Sequence, residues 1–373
     1  MFNRFNKQCF IIVISLILLT VSILGACSSK TEITPQTNMT TIKPTASGVT
    51  LNGAGGTFPA PLYTKWFAEY DTLTGVEVNY QAVGSGAGIT AITNGTVDFG
   101  ASDAILNSQQ LSLAQASYGS LLTIPTTMGA VAISYNLPTI GKNQLKLTGT
   151  VLANIFLKNI TNWNDPSIAA INPGLSLPNI PIAVVHRSDS SGTTYIFTNY
   201  LSKVSQQWST QVGNNTSVNW PGDVGASGSA GVAAQIQQLT GSIGYIELAY
   251  AVQNNMPVAL MQNSSGNYVA PSVGSASAAA DGVTLPADMR IMITNSSNAT
   301  AYPIVGFTWL LVYQNQTNKV KGQELVNLLW WAIHDAQQYN NALTYPTLPA
   351  TAVAIAEAQI NSITYNGQPL THN

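Results

Sequence analysis

Three glycine-rich turns constrain the fold of this chain more than any other feature: Gly53-Ala54-Gly55-Gly56-Thr57-Phe58-Pro59, Gly84-Ser85-Gly86-Ala87-Gly88 and Arg187-Ser188-Asp189-Ser190-Ser191-Gly192-Thr193. Each leads out of a stretch with strand character and into one with helix character. Val76, Val78 and Tyr80 alternate with polar residues, and 97–100 and 182–185 also read as strands. Beyond Pro59 and Pro61, Leu62, Trp66, Phe67 and Tyr70 recur at helical spacing as far as Gly75, and 191–201 reads as a second helix. Further along, 130–135 and 310–313 read as buried strands, and 231–239 and 323–336 as helices. Such alternation predicts an α/β layer fold. Trp66, Trp309, Trp330 and Trp331 are expected in the core or at internal interfaces.

The three turns share a chemistry. A strand-to-helix turn presents free backbone N–H groups and the positive end of a helix dipole, the two things an anion needs. Glycine lets the backbone come close, and Ser or Thr hydroxyls add donors. One such turn means little, because Gly and Ser before a helix are also ordinary capping chemistry. Three in one chain point to an oxyanion. Rival motifs fit less well: no Gly-Lys-Ser/Thr closes any of the turns, and Val83 breaks a Gly-x-Ser-x-Gly elbow around Ser85. His186, His334 and His372 do not cluster in sequence with carboxylates, so neither a metal site nor a catalytic set is expected.

The N-terminus sets the compartment. Arg4 and Lys7 precede an uncharged apolar run from Cys9 to Leu24, and Leu24-Gly25-Ala26-Cys27 follows, the layout of a secretory signal ending on a lipoprotein cysteine. The run is shorter than the roughly 20 residues of a spanning helix. Cleavage after residue 26 is expected to leave Cys27 as a lipidated anchor to the membrane, with 27–48 as a flexible Ser, Thr, Pro and Lys tether. Cys9 goes with the signal, so no cysteine remains for a disulfide and stability has to come from packing. The 373 residues are 45% hydrophobic, enough for two substantial cores, yet only 8% charged with a net charge of -2. That balance leaves no basic footprint for nucleic acid. Asn, Gln, Ser and Thr take the place of surface charge and stay polar when carboxylates protonate, which suggests adaptation to an acidic exterior.

Four blocks carry a family resemblance: Gly53 to Pro61, Tyr80 to Gly88, Thr96 to Asp103 and His186 to Thr193 resemble the signature segments of the substrate-binding proteins of phosphate ABC transporters. Trp163-Asn164-Asp165, Gly241 to Glu247 and Tyr302-Pro303-Ile304 resemble further segments in the same order, so the likeness runs from about Leu51 to the end. It implies a two-lobed α/β fold of the type II periplasmic-binding-protein kind with two hinge crossings, one lobe formed by 49–126 and 302–373 and the other by 127–301. It also implies phosphate contacts from Thr57, Phe58, Ser85, Asp103, Arg187, Ser191, Gly192 and Thr193, with Asp189 behind Arg187 holding the guanidinium. Gly56 stands where the family usually has Ala, and Ser190 where Gly is common. The partners implied are inorganic phosphate and the permease subunits of an ABC transporter, for a monomer that needs no cofactor and does no chemistry on its ligand.

Physical roles for two of these residues can be argued without the family. Arg187 offers two parallel N–H groups to a tetrahedral anion. Asp103 has a use in an anion site only if the ligand carries a proton, as hydrogen phosphate does and sulfate does not; otherwise it is a helix N-cap after Phe99-Gly100-Ala101-Ser102. Arsenate stays open as a ligand, sulfate fits less well, and an exported phosphatase less well again.

Overall fold

The computed structural model describes residues 48–142, 144–222 and 224–372. The expected signal, the lipidation residue Cys27 and all of the tether but Gly48 lie outside the described residues. In the first series of elements, β1 (Thr50–Gly55) leads to α1 (Ala60–Thr74), β2 (Glu77–Ala82) to α2 (Ser85–Thr93) and β3 (Phe99–Ser102) to α3 (Ser108–Tyr118). A long β4 (Leu121–Tyr135) is followed by β5 (Lys146–Leu147), α4 (Gly149–Phe156) and α5 (Pro166–Ile171). A second series repeats the design: β6 (Ala183–Arg187) leads to α6 (Gly192–Val204) and α7 (Gln206–Gln211), β7 (Val224–Ala226) to α8 (Gly228–Gln238), and β8 (Ser242–Glu247) to α9 (Leu248–Gln253). After β9 (Leu260–Gln262), β10 (Tyr268–Val269) and α10 (Val273–Ser277), the chain returns through β11 (Val305–Tyr313), α11 (Lys319–Ile333) and α12 (Ala350–Asn361).

Eight strands join in the order β2-β1-β3-β11-β4-β8-β6-β7. On one side β1 runs parallel to β2 and β3; on the other β6 runs parallel to β7 and β8. Between them β11 and β4 run antiparallel to their neighbours. β4 links the two halves without a break, because Leu121 to Ala130 pair with β11 while Val131 to Tyr135 pair with β8. A second connection lies beside it, where the Val131 N–H donates to the Ile304 carbonyl at 2.8 Å. The α/β alternation expected from the sequence is present, with parallel strands in both halves.

Each element follows from local chemistry. Pro in its first turn starts α1, Gly75 at φ 72° ends it, and Leu62, Trp66, Phe67 and Tyr70 are its buried face. Burying each of those side chains stabilises the fold by about 1.5–3 kcal/mol. Trp66 and Trp309 are fully buried as expected; Trp331 packs edge-on to Trp66, and Trp330 stacks on His372. β4 and β11 begin earlier than their apolar runs predicted, because Thr126, Thr127, Gly306 and Thr308 interrupt the pattern. The threonines are nevertheless buried, for their hydroxyls find partners: Tyr63 Oη lies 2.6 Å from Thr126 Oγ1, and Thr127 Oγ1 donates to the Pro346 carbonyl at 2.8 Å. α11 starts at Lys319 behind an Asn318 cap, and Asp335–Tyr339 forms a 3-10 turn where continued helix was expected. Among the described residues no helix is long and apolar enough to cross a membrane.

Candidate functional site

In a parallel sheet the loops at the C-terminal ends of the strands share one edge, and ligands bind there. Here the turns after β1 and β2 and the residue after β3 face the turns after β6, β7 and β8. The two groups touch: the Gly86 N–H donates to the Ser190 carbonyl at 3.1 Å, and Tyr250 Oη donates to the Thr57 carbonyl at 2.7 Å. The three glycine-rich turns read from the sequence are thereby brought together.

Arg187 ends β6 with only 3% of its surface exposed. Asp189 grips one edge of its guanidinium, accepting from Nε at 2.7 Å and from Nη2. The same carboxylate accepts from the Gly228 N–H at 3.0 Å. Burial alone would raise the Asp189 carboxyl, but these donors and the Arg187 charge hold it below its usual range. The expected role of Asp189 thus has a geometric basis. The pair takes the Nε edge, and the outer edge faces hydroxyls, with Nη1 at 3.5 Å from both Thr193 Oγ1 and Ser229 Oγ.

Asp103 follows β3 and is 1% exposed. It is not the cap of the next helix; Asn107 caps α3 with a reciprocal bond to Gln110. Instead Thr308 Oγ1 donates to Asp103 Oδ1 at 2.6 Å and Ser85 Oγ to Oδ2 at 3.2 Å, while the Asp103 N–H donates back to Ser85 Oγ at 3.1 Å. Thr308 sits where β11 shifts register against β4, an irregularity of the kind that re-aims a side chain. Burial pushes Asp103 up to about 6, against the opposing pull of the Thr308 and Ser85 hydrogen bonds and the Arg187 charge.

The glycines hold these groups close. A Cβ at Gly192 would overlap Ser85 Oγ and Asp103, and one at Gly56 would stand 2.9 Å from Asp103 Oδ2. Gly56 therefore leaves the carboxylate unpressed. Gly192 and Thr193 open α6, and Ser191 caps it by accepting from the Thr194 N–H at 3.1 Å. The Ser191 N–H goes to the Thr216 carbonyl at 2.9 Å, so only the Ser191 hydroxyl proton is left to offer. Thr57 and Phe58 are buried at the start of α1, with Thr57 Oγ1 2.9 Å from Ser229 Oγ.

Several participants escaped the sequence reading. Ser229 belongs to a fourth turn, Ala226-Ser227-Gly228-Ser229, of the same strand-to-helix kind. β7, at three residues, was too short to show the strand that would have flagged it. Thr308, Tyr250 and Tyr345 carry no local motif. His186 stands apart from these groups, stacked on Trp220. His334 meets a carboxylate distant in sequence: its Nε2 lies 2.9 Å from Glu357 Oε1, a pair 23 residues apart across two packed helices.

Comparison with known proteins places this geometry. Residues 39–329 match the model of a PBP superfamily domain. A phosphate-binding protein PstS of Xylella fastidiosa is 43% identical over 312 residues, spanning 83% of this chain and 84% of the relative. One from Haemophilus influenzae is 41% identical, over 85% of this chain and 94% of its own. Among solved structures, a high-affinity periplasmic phosphate-binding protein determined with phosphate superposes with a TM-score of 0.68 at 24% identity, covering 83% of this chain and 93% of that one, a likeness of fold. From its matched domain and the identity it shares with these relatives over most of its length, the chain belongs to the PBP superfamily and, within it, to the family of the PstS phosphate-binding proteins.

Proposed function

We propose that this protein captures inorganic phosphate outside the cytoplasm and delivers it unchanged to the permease of an ABC transporter. The observation that carries this reading is the pairing of a buried acceptor with a ring of donors. Asp103 lies against Ser85 and Gly192, and the outer edge of Arg187 against Thr193 and Ser229, an arrangement suited to an oxyanion that still bears a proton. Thr57, Phe58, Ser85, Ser191, Gly192 and Thr193 supply hydroxyl and backbone donors; Arg187 supplies charge, held in place by Asp189; and Asp103 accepts the ligand proton.

Two lobes, 49–126 with 302–373 and 127–301, close on the ligand, and the contacts of Gly86 with Ser190 and of Tyr250 with Thr57 belong to the closed form. The permease reads that form, and ligand favours it only by its differential affinity for it. The protein works as a monomer held to the membrane by a lipid on Cys27. Calorimetry with phosphate, arsenate and sulfate at neutral pH tests the ligand: phosphate and arsenate bind and sulfate does not. Arg187→Ala lowers phosphate affinity about 100-fold or more, because it strips a buried charge pair of one member. Unaltered binding by that variant would place the site elsewhere, and phosphate release from simple esters would turn the reading toward hydrolysis.

A further inference from the structure

One buried acid near the site has no part in the scheme above. Glu247 ends β8, is fully buried, and caps α9 by accepting the Ala249 N–H through Oε2 at 2.7 Å. The same Oε2 lies 3.0 Å from Tyr345 Oη, which itself lies 2.6 Å from the carbonyl oxygen of Phe58, at the start of α1 in the first anion-facing turn. Tyr345 is fully buried too.

Proton counting decides the chemistry of this chain of three. A phenol has one proton. The Phe58 carbonyl can only accept, and an oxygen pair at 2.6 Å without a proton between them is strongly repulsive, so the Tyr345 proton points at Phe58. Tyr345 Oη then presents lone pairs to Glu247 Oε2. An ionised Glu247 would answer with lone pairs of its own, and the contact would be unfavourable. A proton on Oε2 resolves it: Glu247 donates to Tyr345, and Tyr345 donates to Phe58.

The surroundings agree. Glu247 Oε1 is buried with no hydrogen-bond partner, facing the backbone of β4 at Gly129, where a Cβ would stand 3.4 Å from it. A neutral acid tolerates that far better than a carboxylate does. The titratable groups whose influence couples to Glu247 from the packed elements are Tyr345, Asp103 and Tyr250, none of them a cation. Arg187 acts on Asp103 and on Tyr250. Burial raises the Glu247 carboxyl well above its ordinary range, against the pull of the Ala249 and Leu248 N–H groups.

We infer that Glu247 is a neutral carboxylic acid in this conformation and a positioning residue for the anion site, fixing the Phe58 turn through Tyr345, so that ligand capture is coupled to a proton held away from the ligand. This rests on the phosphate reading. The sign follows from linkage: a group whose pKa is higher in the bound form than in the free form favours binding below the free-form value. The advantage is lost as pH rises towards the bound-form value. A single linked proton changes affinity by up to about tenfold per pH unit within that window.

The test is phosphate calorimetry between pH 5 and 9, in buffers of differing ionisation enthalpy, on the wild-type protein and Glu247→Gln. The amide nitrogen can donate to Tyr345 at every pH, at the cost of the Ala249 N–H cap that Oε2 accepts, so the pH dependence and not the absolute affinity is compared. Phosphate titrates alike in both proteins, and Asp103 differs between them only through its coupling to Glu247, so the difference reports the proton on Glu247. The expected result is that wild-type affinity falls relative to the variant as pH rises, and that the wild type takes up more protons on binding. Equal proton uptake and parallel pH profiles overturn the inference. Absence of any phosphate binding by the wild type would instead sink the reading beneath it. Should Glu247→Gln fail to fold, infrared spectra of the phosphate-bound wild type decide: a carboxylic-acid C=O band persisting at pH 8 supports the assignment, and its absence refutes it.

Discussion

Asp103 concentrates the residue-scale chemistry. Its carboxyl is pushed up to about 6 by burial, so it is an ionised acceptor at neutral pH and largely an acid near pH 5. In the proposed role it selects, as an acceptor, a protonated ligand, and sites that require one hydrogen bond can discriminate by roughly 10⁴ to 10⁵. Once protonated it becomes a donor, and sulfate no longer meets lone pairs. Sulfate should therefore compete with phosphate at pH 5 and not at pH 7.5, and Asp103→Asn should admit sulfate at both; competition calorimetry that finds no sulfate binding in either case removes this role. The residue type and its place after a strand could be read from the sequence. What could not be read is that Thr308, from a strand 205 residues away, supplies the 2.6 Å bond to it. Such partners are assembled only when β11 pairs with β3. Ser229, Tyr250 and Tyr345 are of the same kind: ordinary residues joined to the candidate site by tertiary approach.

At the scale of elements, the turns were legible because glycine, serine and helix spacing are local signals, and strand ends were less so because burial is not local. β4 illustrates the second case. Its threonines look polar in sequence but are buried once Tyr63 and the Pro346 carbonyl satisfy them. The contact between the second and third turns is also an element-scale feature. A Cβ at Gly86 would overlap the Ser190 side chain, an approach that fixes how nearly two turns can meet, and the Gly86 N–H also donates to the Ser190 carbonyl. Gly86→Ala should lower phosphate affinity by about tenfold or more with little change in thermal stability, since the clash arises only where the turns meet. Ser190→Gly in the same chain should recover part of the loss. Identical affinities in the wild type and Gly86→Ala would show that the turns need not touch to hold ligand.

For the whole molecule the low charge content has a structural counterpart. Asp103 and Glu247 are buried with raised carboxyl pKa values, so their contribution favours the fold as pH falls, whereas that of Asp189, held low beside Arg187, is lost as pH drops through its depressed value. Asp288, beside Arg290, behaves as Asp189 does but is largely exposed and counts for less. Because few ionised carboxylates support the structure, circular dichroism should report the native fold down to about pH 4. Unfolding well above that would contradict adaptation to an acidic exterior. The unbroken β4 has a mechanical meaning as well. One of the two connections between the halves is a strand, braced by the ladder to β11 on one side and β8 on the other, so this joint is part of a sheet and not a slack linker. Sheets accommodate changes of twist while their ladders hold strand spacing fixed. Under the proposed closure of the two lobes, the cleft opens against a restoring torque, like a gap bridged by a torsion bar, and the stiffness of that bar sets how much of the ligand's grip is spent in holding the jaws together.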